Sequence, residues 1–171
     1  DIEVCVFDDR GIGNGWWLPA GPLREAWPRP CDLVLHTGAR PAFDGFTAQR
    51  ALADAAVARD GRRVPLAELA RRQDWVAVAG IARPQNFFDM LRARGVQPAQ
   101  CIALPDHHDF EGPPPWPAGA PLLCTEKDAA KLWRVAPQAL AVPLHFAPEA
   151  AFFAALDSRV DGALDAVRRL S

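Results

Sequence analysis

The stretch WVAVAGIARPQNFFDMLRARG, residues 75–95, decides the fold class. Its first six residues form a short apolar run, which is typical of a strand that is buried on both faces. Pro84 then stands where a helix begins, because the first helical position needs no backbone N–H. Phe87 and Leu91 fall on one face of that helix, and Gly95 is placed to end it. The stretch therefore predicts a strand, a loop and a helix, the repeating unit of α/β proteins.

The same alternation continues along the chain. Short apolar or β-rich runs predict further strands within residues 2–7, 32–38, 100–108, 121–125 and 139–146, and helices are predicted at 125–133 and 147–170. Between residues 43 and 69 the pattern is ambiguous: GRRVPL (61–66) favours a strand, and the alanines of AQRALADAAVA (48–58) favour a helix. Because the strands alternate with helices, we expect an α/β fold with a largely parallel sheet and flanking helices.

The composition excludes several classes of protein. Hydrophobic residues make up 50% of the chain and charged residues 23%, which is typical of a folded globular protein. A net charge of −2 argues against a nucleic-acid partner. The four cysteines, Cys5, Cys31, Cys101 and Cys124, lie far apart beside apolar runs, so we expect buried reduced thiols rather than a zinc site. No apolar run approaches the roughly eighteen residues of a membrane-spanning helix.

Three groups of polar residues each follow a predicted strand, and the first surrounds segment 10–25. This segment is rich in glycine, proline and tryptophan. A G-x-G-x-G run after a strand can bind phosphate through its backbone N–H groups, but Pro19 and Pro22 prevent the helix that a dinucleotide fingerprint requires. Asp8 and Asp9 could bind Mg²⁺, and the pattern favours the alternative of a solvated acidic turn.

The remaining candidates also leave two interpretations open. Arg24 follows a rigid turn and suits bidentate phosphate binding, or it makes a surface or packing contact. The segment Asp106–His108 suits acid–base chemistry, although its composition favours a local hydrogen bond. Thr125 is predicted to cap a helix with Asp128, and the alternative is an anion site to which Lys127 adds charge.

Four blocks, taken in order, resemble the tetraacyldisaccharide 4′-kinase family, the lipid A kinases of Gram-negative bacteria. These blocks are GNGWWLPAGPLRE (13–25), VAVAGIARPQNFFDMLRARGV (76–96), LPDHHDF (104–110) and LLCTEKDAAKLW (122–133). The resemblance extends from about Asp1 to about Phe146. Its most specific parts are the patterns GNGxxLPAGPLRE and TEKDAxK.

The resemblance implies an enzyme that transfers the γ-phosphate of ATP to the 4′-hydroxyl of tetraacyldisaccharide 1-phosphate, giving lipid IVA. It implies ATP and Mg²⁺ as cofactors, a glycolipid substrate, and peripheral contact with the cytoplasmic face of the inner membrane. Family members also carry a P-loop, a catalytic aspartate and an Asp-Asp-Gly-x-Gln-His block ahead of the matched region. The motif G-x-x-x-x-G-K-[ST] does not occur in this sequence, which starts at Asp1. We therefore expect the C-terminal portion of a longer kinase, inactive by itself.

Carried over by position, the resemblance implies three catalytic residues. His107 would lie near the ATP phosphates or Mg²⁺ and support the catalytic centre, and Asp106 would orient it. Arg24 would reach the phosphate region from the end of its turn. Glu25 would reach the same region, and the resemblance implies that Glu25 and His107 are metal ligands.

It also implies a set of cofactor-binding residues. Asn14 and Gly15 would shape a cleft between two domains, and Glu25 would contribute from the neighbouring turn. Thr125 and Lys127 would lie near the same cleft.

The implied domain division falls after residue 30. Residues 1–30 would be a strand and a rigid crossover from the end of a P-loop domain, and residues 31–171 a Rossmann-like C-terminal α/β domain. Two alternatives remain: a non-catalytic α/β module that binds a sugar phosphate or a protein, and an unrelated nucleotide-sugar enzyme, against which the missing dinucleotide fingerprint counts. An exposed apolar face along the first strand would favour the kinase portion, and a well-capped edge would favour the module.

Overall fold

The computed structural model describes residues 1–38 and 41–170. The chain divides into two compact units, Asp1–Arg50 with Phe146–Ser171 and Ala51–His145. This division differs from a boundary after residue 30. The assignment of residues 1–30 to a nucleotide-binding domain concerns a longer protein, so it stays a prediction.

The first unit contains a four-stranded sheet and a long helix. Its elements are β1 (Val4–Phe7), β2 (Leu33–His36), β3 (Phe46–Leu52), β10 (Leu144–Pro148) and α4 (Ala150–Leu170). The strand order is β1-β2-β3-β10, and β1, β2 and β3 run parallel. Phe152 of α4 packs against Leu33, Leu35 and Ala48, so the helix covers one face of this sheet. The strand β1 lies at the edge.

The second unit is an α/β layer structure around a six-stranded sheet. Its elements are β4 (Ala55–Val57), β5 (Arg63–Pro65), α1 (Leu66–Leu69), β6 (Val76–Ala79), α2 (Pro84–Ala93), β7 (Gln100–Ala103), β8 (Leu122–Thr125), α3 (Glu126–Leu132) and β9 (Leu140–Val142). The order is β5-β4-β9-β8-β6-β7. The four strands β9, β8, β6 and β7 are parallel, while β4 is antiparallel to both of its neighbours. The predicted fold class is confirmed.

Both faces of this sheet are buried. Leu123 belongs to a core that includes Phe87 and Leu91 of α2. Its neighbour Leu122 points to the other face and packs with Leu132 of α3. Successive residues of a strand point to opposite faces, so the continuous apolar run of β8 is explained by helices on both sides.

The helix expected over residues 48–58 is wrong. These residues form most of β3, a short connection, and β4, which pairs with β5 through Ala56 and Val64. Alanine's helix propensity is worth only a few tenths of a kcal/mol over most residues. Burial of Ala53 and Ala56 in a tightly packed sheet outweighs it. The strand expected within GRRVPL is confirmed as β5.

The single strand expected over residues 139–146 is two strands. Pro143 separates β9 from β10, and the two strands belong to different sheets. Proline cannot donate a hydrogen bond to a neighbouring strand, so a central strand ends there. The carbonyl of Pro143 still accepts a hydrogen bond from Ala53 N–H at 2.9 Å.

In the part of the chain that the structure describes, no helix combines the length and the apolarity that crossing a bilayer demands.

We predict that Leu122→Ala and Leu123→Ala each lower the free energy of unfolding by about 2–5 kcal/mol, because each opens a cavity on one face of a fully covered sheet. Leu144→Ala is the control, since Leu144 is 43% exposed, and we expect it to cost less than about 1 kcal/mol. Urea unfolding followed by circular dichroism measures all three. A small loss at either buried leucine would show that its face is open.

Candidate functional site

The second unit places its candidate residues at the carboxyl ends of parallel strands. The strands β6 and β8 are neighbours in the sheet, with β7 on the outer side of β6 and β9 on the outer side of β8. The connections from β6 to β7 and from β8 to β9 therefore run in opposite directions. The loops after β6 and β8 therefore meet at a topological switch point, where open α/β sheets bind ligands. The loop after β7 carries Asp106–His108, and α3 follows β8 directly.

His107 has an unusual backbone conformation. Its φ is +64°, in the left-handed region, and its side chain is 71% exposed. The turn is closed by a hydrogen bond from His108 N–H to the carbonyl of Pro105 at 3.1 Å, and His107 N–H donates to the carbonyl of Gly80 at 3.1 Å. A left-handed residue other than glycine costs on the order of 1–2 kcal/mol, so the surrounding contacts hold this turn.

The two histidines have different surroundings. His108 is half-buried, its Nδ1 accepts a hydrogen bond from Phe110 N–H at 2.9 Å, and its ring packs edge-on against Phe110. When neutral, this ring therefore carries its proton on Nε2. His108 is committed to its own loop, which leaves His107 as the histidine with an accessible ring.

Asp106 contacts a lysine more closely than it contacts His107. Its Oδ1 accepts a hydrogen bond from Lys127 Nζ at 3.2 Å, while its Oδ2 lies 3.8 Å from His107 Nε2. The hydrogen bond from Lys127 is the main reason that the pKa of Asp106 lies below its ordinary value, and the charge of His107 adds to the shift. The expected orientation of His107 by Asp106 stays a prediction, because 3.8 Å is too long for a hydrogen bond.

Thr125 caps α3 as expected. Its Oγ1 accepts a hydrogen bond from Asp128 N–H at 3.2 Å and donates one to Asp128 Oδ2 at 2.7 Å. The same Oδ2 accepts a hydrogen bond from Gly80 N–H at 3.0 Å, and Asp128 is 3% exposed. The carboxylate of Asp128 thus occupies the switch point and ties the loop after β6 to the helix after β8.

Sequence reasoning missed two residues of this group, Gly80 and Lys131. A Cβ on Gly80 would lie 3.2 Å from Asp128 Oδ1 and from His108 Cβ, so a side chain there would crowd the junction. Lys131 Nζ donates hydrogen bonds to the carbonyls of His107 at 3.0 Å and His108 at 3.2 Å. A signal was present: Lys127 and Lys131 are the only lysines in the chain and stand one helical turn apart.

The same sheet buries Cys124 completely. Burial raises the pKa of its thiol, and the nearby charge of Asp128 raises it further. Cys124 is therefore a packing residue rather than a nucleophile.

The first unit holds the other predicted residues. Asn14 Nδ2 donates to the carbonyl of Ala20 at 2.9 Å, and its Oδ1 accepts from Trp16 N–H at 3.1 Å, so Asn14 closes the loop that contains Gly15. A Cβ on Gly21 would lie 2.3 Å from the carbonyl oxygen of Trp16, which explains the glycine at that turn. The structure gives Asn14 a loop-building role, and its role in cofactor binding stays a prediction.

Arg24 and Glu25 follow Leu23, which is buried and anchors the end of the segment. Glu25 Oε2 pairs with Arg29 Nε at 3.0 Å, and Arg29 also pairs with Glu3. An open groove of about 450 Å³ runs along β1, with charged lining residues Glu3, Asp8, Arg10, Arg24, Glu25, Arg29 and Arg50. Arg24 is exposed at this groove, as anion binding would require.

Glu25 and His107, the predicted metal ligands, lie in different units. Within residues 1–38 and 41–170, no three His, Cys, Asp or Glu side chains gather closely enough to hold a metal ion. Mg²⁺ prefers carboxylate and phosphate oxygens with several retained waters. The metal role of this pair stays a prediction.

The sequence model of one protein family, tetraacyldisaccharide-1-P 4′-kinase, matches residues 1–161. The tetraacyldisaccharide 4′-kinase of Polaromonas naphthalenivorans is 59% identical over 166 residues, which covers 92% of this chain and 48% of that protein. The corresponding enzyme of Acidovorax ebreus is 53% identical over 165 residues, covering 94% of this chain and 48% of its own. The chain thus spans about half the length of these curated relatives.

The fold also matches a solved structure. LpxK from Aquifex aeolicus, crystallised in complex with ATP, superimposes with a TM-score of 0.70 at 23% identity, over 90% of this chain and 50% of that one. At this identity the match speaks for the fold alone. Since the family model covers nearly every residue, this chain belongs to the tetraacyldisaccharide-1-P 4′-kinase family.

Proposed function

We propose that this chain is the part of a lipid A 4′-kinase that supplies the Asp106–His107 turn and Arg24 to a catalytic centre completed by a P-loop half. The whole enzyme would transfer the γ-phosphate of ATP to the 4′-hydroxyl of tetraacyldisaccharide 1-phosphate, giving lipid IVA, at the cytoplasmic face of the inner membrane. The observation that carries this proposal is the family match over residues 1–161.

The backbone of His107 supports a chemical role for that side chain. Glycine would adopt a φ of +64° at little cost, yet a histidine stands there with its ring exposed. An exposed imidazole gains little from packing, so stability does not explain the choice. Strained residues of this kind concentrate at functional sites. Imidazole can hold or release a proton near neutral pH, which suits a group placed beside phosphates.

The charges around the turn support binding of an anionic substrate. Lys127 donates a hydrogen bond to the Asp106 carboxylate, and Lys131 donates hydrogen bonds to two backbone carbonyls of the same turn. Phosphoryl transfer depends mainly on positioning and on neutralising charge, which these ammonium groups favour. In the proposal, Mg²⁺ would be held by the P-loop half and the phosphates, where it would neutralise developing charge.

The edge strand β1 supports the presence of a partner half. Val6 on this strand is 59% exposed, and Trp16, Trp17 and Leu18 of the following segment are exposed as well. Exposed apolar side chains along the unpaired edge of a sheet are typical of a surface that binds another strand or domain. This favours a kinase portion over a self-sufficient binding module. Without the nucleotide cradle, we propose that the chain alone does not transfer phosphate.

We predict that a chimera regains activity when residues 1–171 replace the matching part of the Polaromonas naphthalenivorans kinase. Transfer of labelled γ-phosphate from ATP to tetraacyldisaccharide 1-phosphate measures this activity.

His107→Ala in the chimera should lower kcat by about 10²–10⁴-fold, the usual range for an acid–base group. His145→Ala, at an exposed histidine of β10, is the control and should leave the rate unchanged. A folded chimera without transfer would overturn the proposal, and transfer by residues 1–171 alone would refute the inactivity of the isolated chain.

His107→Gly should separate stability from function. We predict that the glycine variant unfolds with a free energy about 1 kcal/mol higher than His107→Ala, because only glycine adopts the left-handed conformation freely. Both variants should lower kcat in the chimera to the same extent, because both lack the imidazole. Urea unfolding of the chain and the phosphate-transfer assay test the two halves of this prediction. An active glycine variant would mean that the turn, not the imidazole, is what the enzyme needs.

The pair of Asp106 and Lys127 gives a prediction for pH. Lys127→Met should raise the pKa of Asp106 toward its ordinary value of 3.8, because the main cause of the lowering is removed. A lowered pKa stabilises the turn above about pH 4, and this contribution is lost as pH falls through the lowered value. Titration of the side-chain carboxyl by NMR measures the shift. An unchanged Asp106 pKa in Lys127→Met would show that the pair does not form in solution.

A further inference from the structure

The helix α3 contacts the Asp106–His108 turn in three ways. Lys127 Nζ lies 3.2 Å from Asp106 Oδ1, and Lys131 Nζ bonds to the carbonyls of His107 and His108. Asp128 contacts the turn indirectly, through Gly80. These three residues lie within two turns of one short helix, and they include both lysines of the chain.

The two peptide groups that flank His107 are each held. On the amino side, His107 N–H donates to the carbonyl of Gly80 at 3.1 Å, and Gly80 N–H donates to the buried Asp128 carboxylate at 3.0 Å. On the carboxyl side, Lys131 Nζ donates to the His107 carbonyl at 3.0 Å. When both peptide planes are fixed, the direction of the Cα–Cβ bond between them is fixed too.

Helix capping does not explain these contacts. A cap requires only the hydrogen bond from Asp128 N–H to Thr125 Oγ1. It does not require Asp128 to bind Gly80, and it does not require Lys131 to bind a loop 23–24 residues earlier in the chain. Hydrogen bonds from an ammonium group are stronger than those between neutral groups, so Lys131 can hold a turn that is itself strained.

We infer that Lys131 and Asp128 are positioning residues, which hold the backbone of His107 from its two sides and so aim its imidazole. The inference rests on the proposed function for its catalytic meaning, but the positioning itself is a property of this chain. Lys131 is the sharper test, since the carboxylate of Asp128 also binds the hydroxyl of the capping residue Thr125.

The first experiment uses the 171-residue chain and measures amide hydrogen exchange at His107 by NMR. Lys131→Met should speed exchange at this amide by about tenfold, because the turn loses its clamp and opens more often. Lys131→Arg should restore slow exchange, since it keeps a cationic donor. Arg134→Met removes a charge just beyond α3 and is the matched control. Lys131→Gln is a second variant that keeps the polarity, in case the methionine disturbs folding.

The second experiment measures kinetics in the active chimera. Lys131→Met should lower kcat by about tenfold with little change in KM for ATP or the glycolipid. The reason is that the His107 imidazole loses its fixed orientation while the substrates still bind. Lys131→Arg should recover most of the rate. Unchanged exchange at His107 in Lys131→Met would overturn the inference whatever the chimera does. An inactive wild-type chimera would count against the proposed function only, and a KM effect without a kcat effect would make Lys131 a binding residue instead.

Discussion

The buried carboxylate of Asp128 is the interaction on which the candidate site of the second unit depends. A carboxylate that is 3% exposed is stable only with hydrogen-bond donors beside it, and Oδ2 of Asp128 accepts hydrogen bonds from Gly80 N–H and Thr125 Oγ1 where the strand connections diverge. One side chain thereby joins the loops after β6 and β8. Through the carbonyl of Gly80, the same junction reaches the turn after β7.

This junction changes the crevice that open α/β sheets commonly have at their switch point. Such sheets leave a crevice at the switch point, and a ligand usually fills it. Here the protein fills the centre with its own carboxylate and presents Asp106, His107 and Lys127 around it. The exposed imidazole of His107 lies at the rim of this junction, and in the proposed function it would meet groups supplied by a P-loop half. That arrangement fits a chain that spans about half of its relatives.

The first unit follows a different principle. Its segment 10–25 is held by local hydrogen bonds of Asn14 and contains Gly13 and Gly21, where an added Cβ would collide with Pro22 and with the carbonyl oxygen of Trp16. Trp16, Trp17 and Leu18 of this segment are exposed, and in the proposed function a P-loop half would cover them. The ion pairs of Arg29 with Glu3 and Glu25 anchor the end of that segment near β1.

The sequence by itself determined the α/β class, the helix from Pro84 to the Gly95 turn, the Thr125 cap and the family resemblance, because periodicity, caps and motifs are local signals. The tertiary structure decided the rest. Burial placed most of residues 48–58 in strands, and Pro143 divided residues 139–146 between two sheets. Of the two adjacent histidines, His107 has the accessible ring, because His108 accepts a hydrogen bond within its own loop. The tertiary structure also revealed the bond from Gly80 to Asp128, whose partners are 48 residues apart, and that of Lys131, 24 residues from His107. Contacts at such separation depend on how strands are ordered, and no local pattern of residues encodes that order.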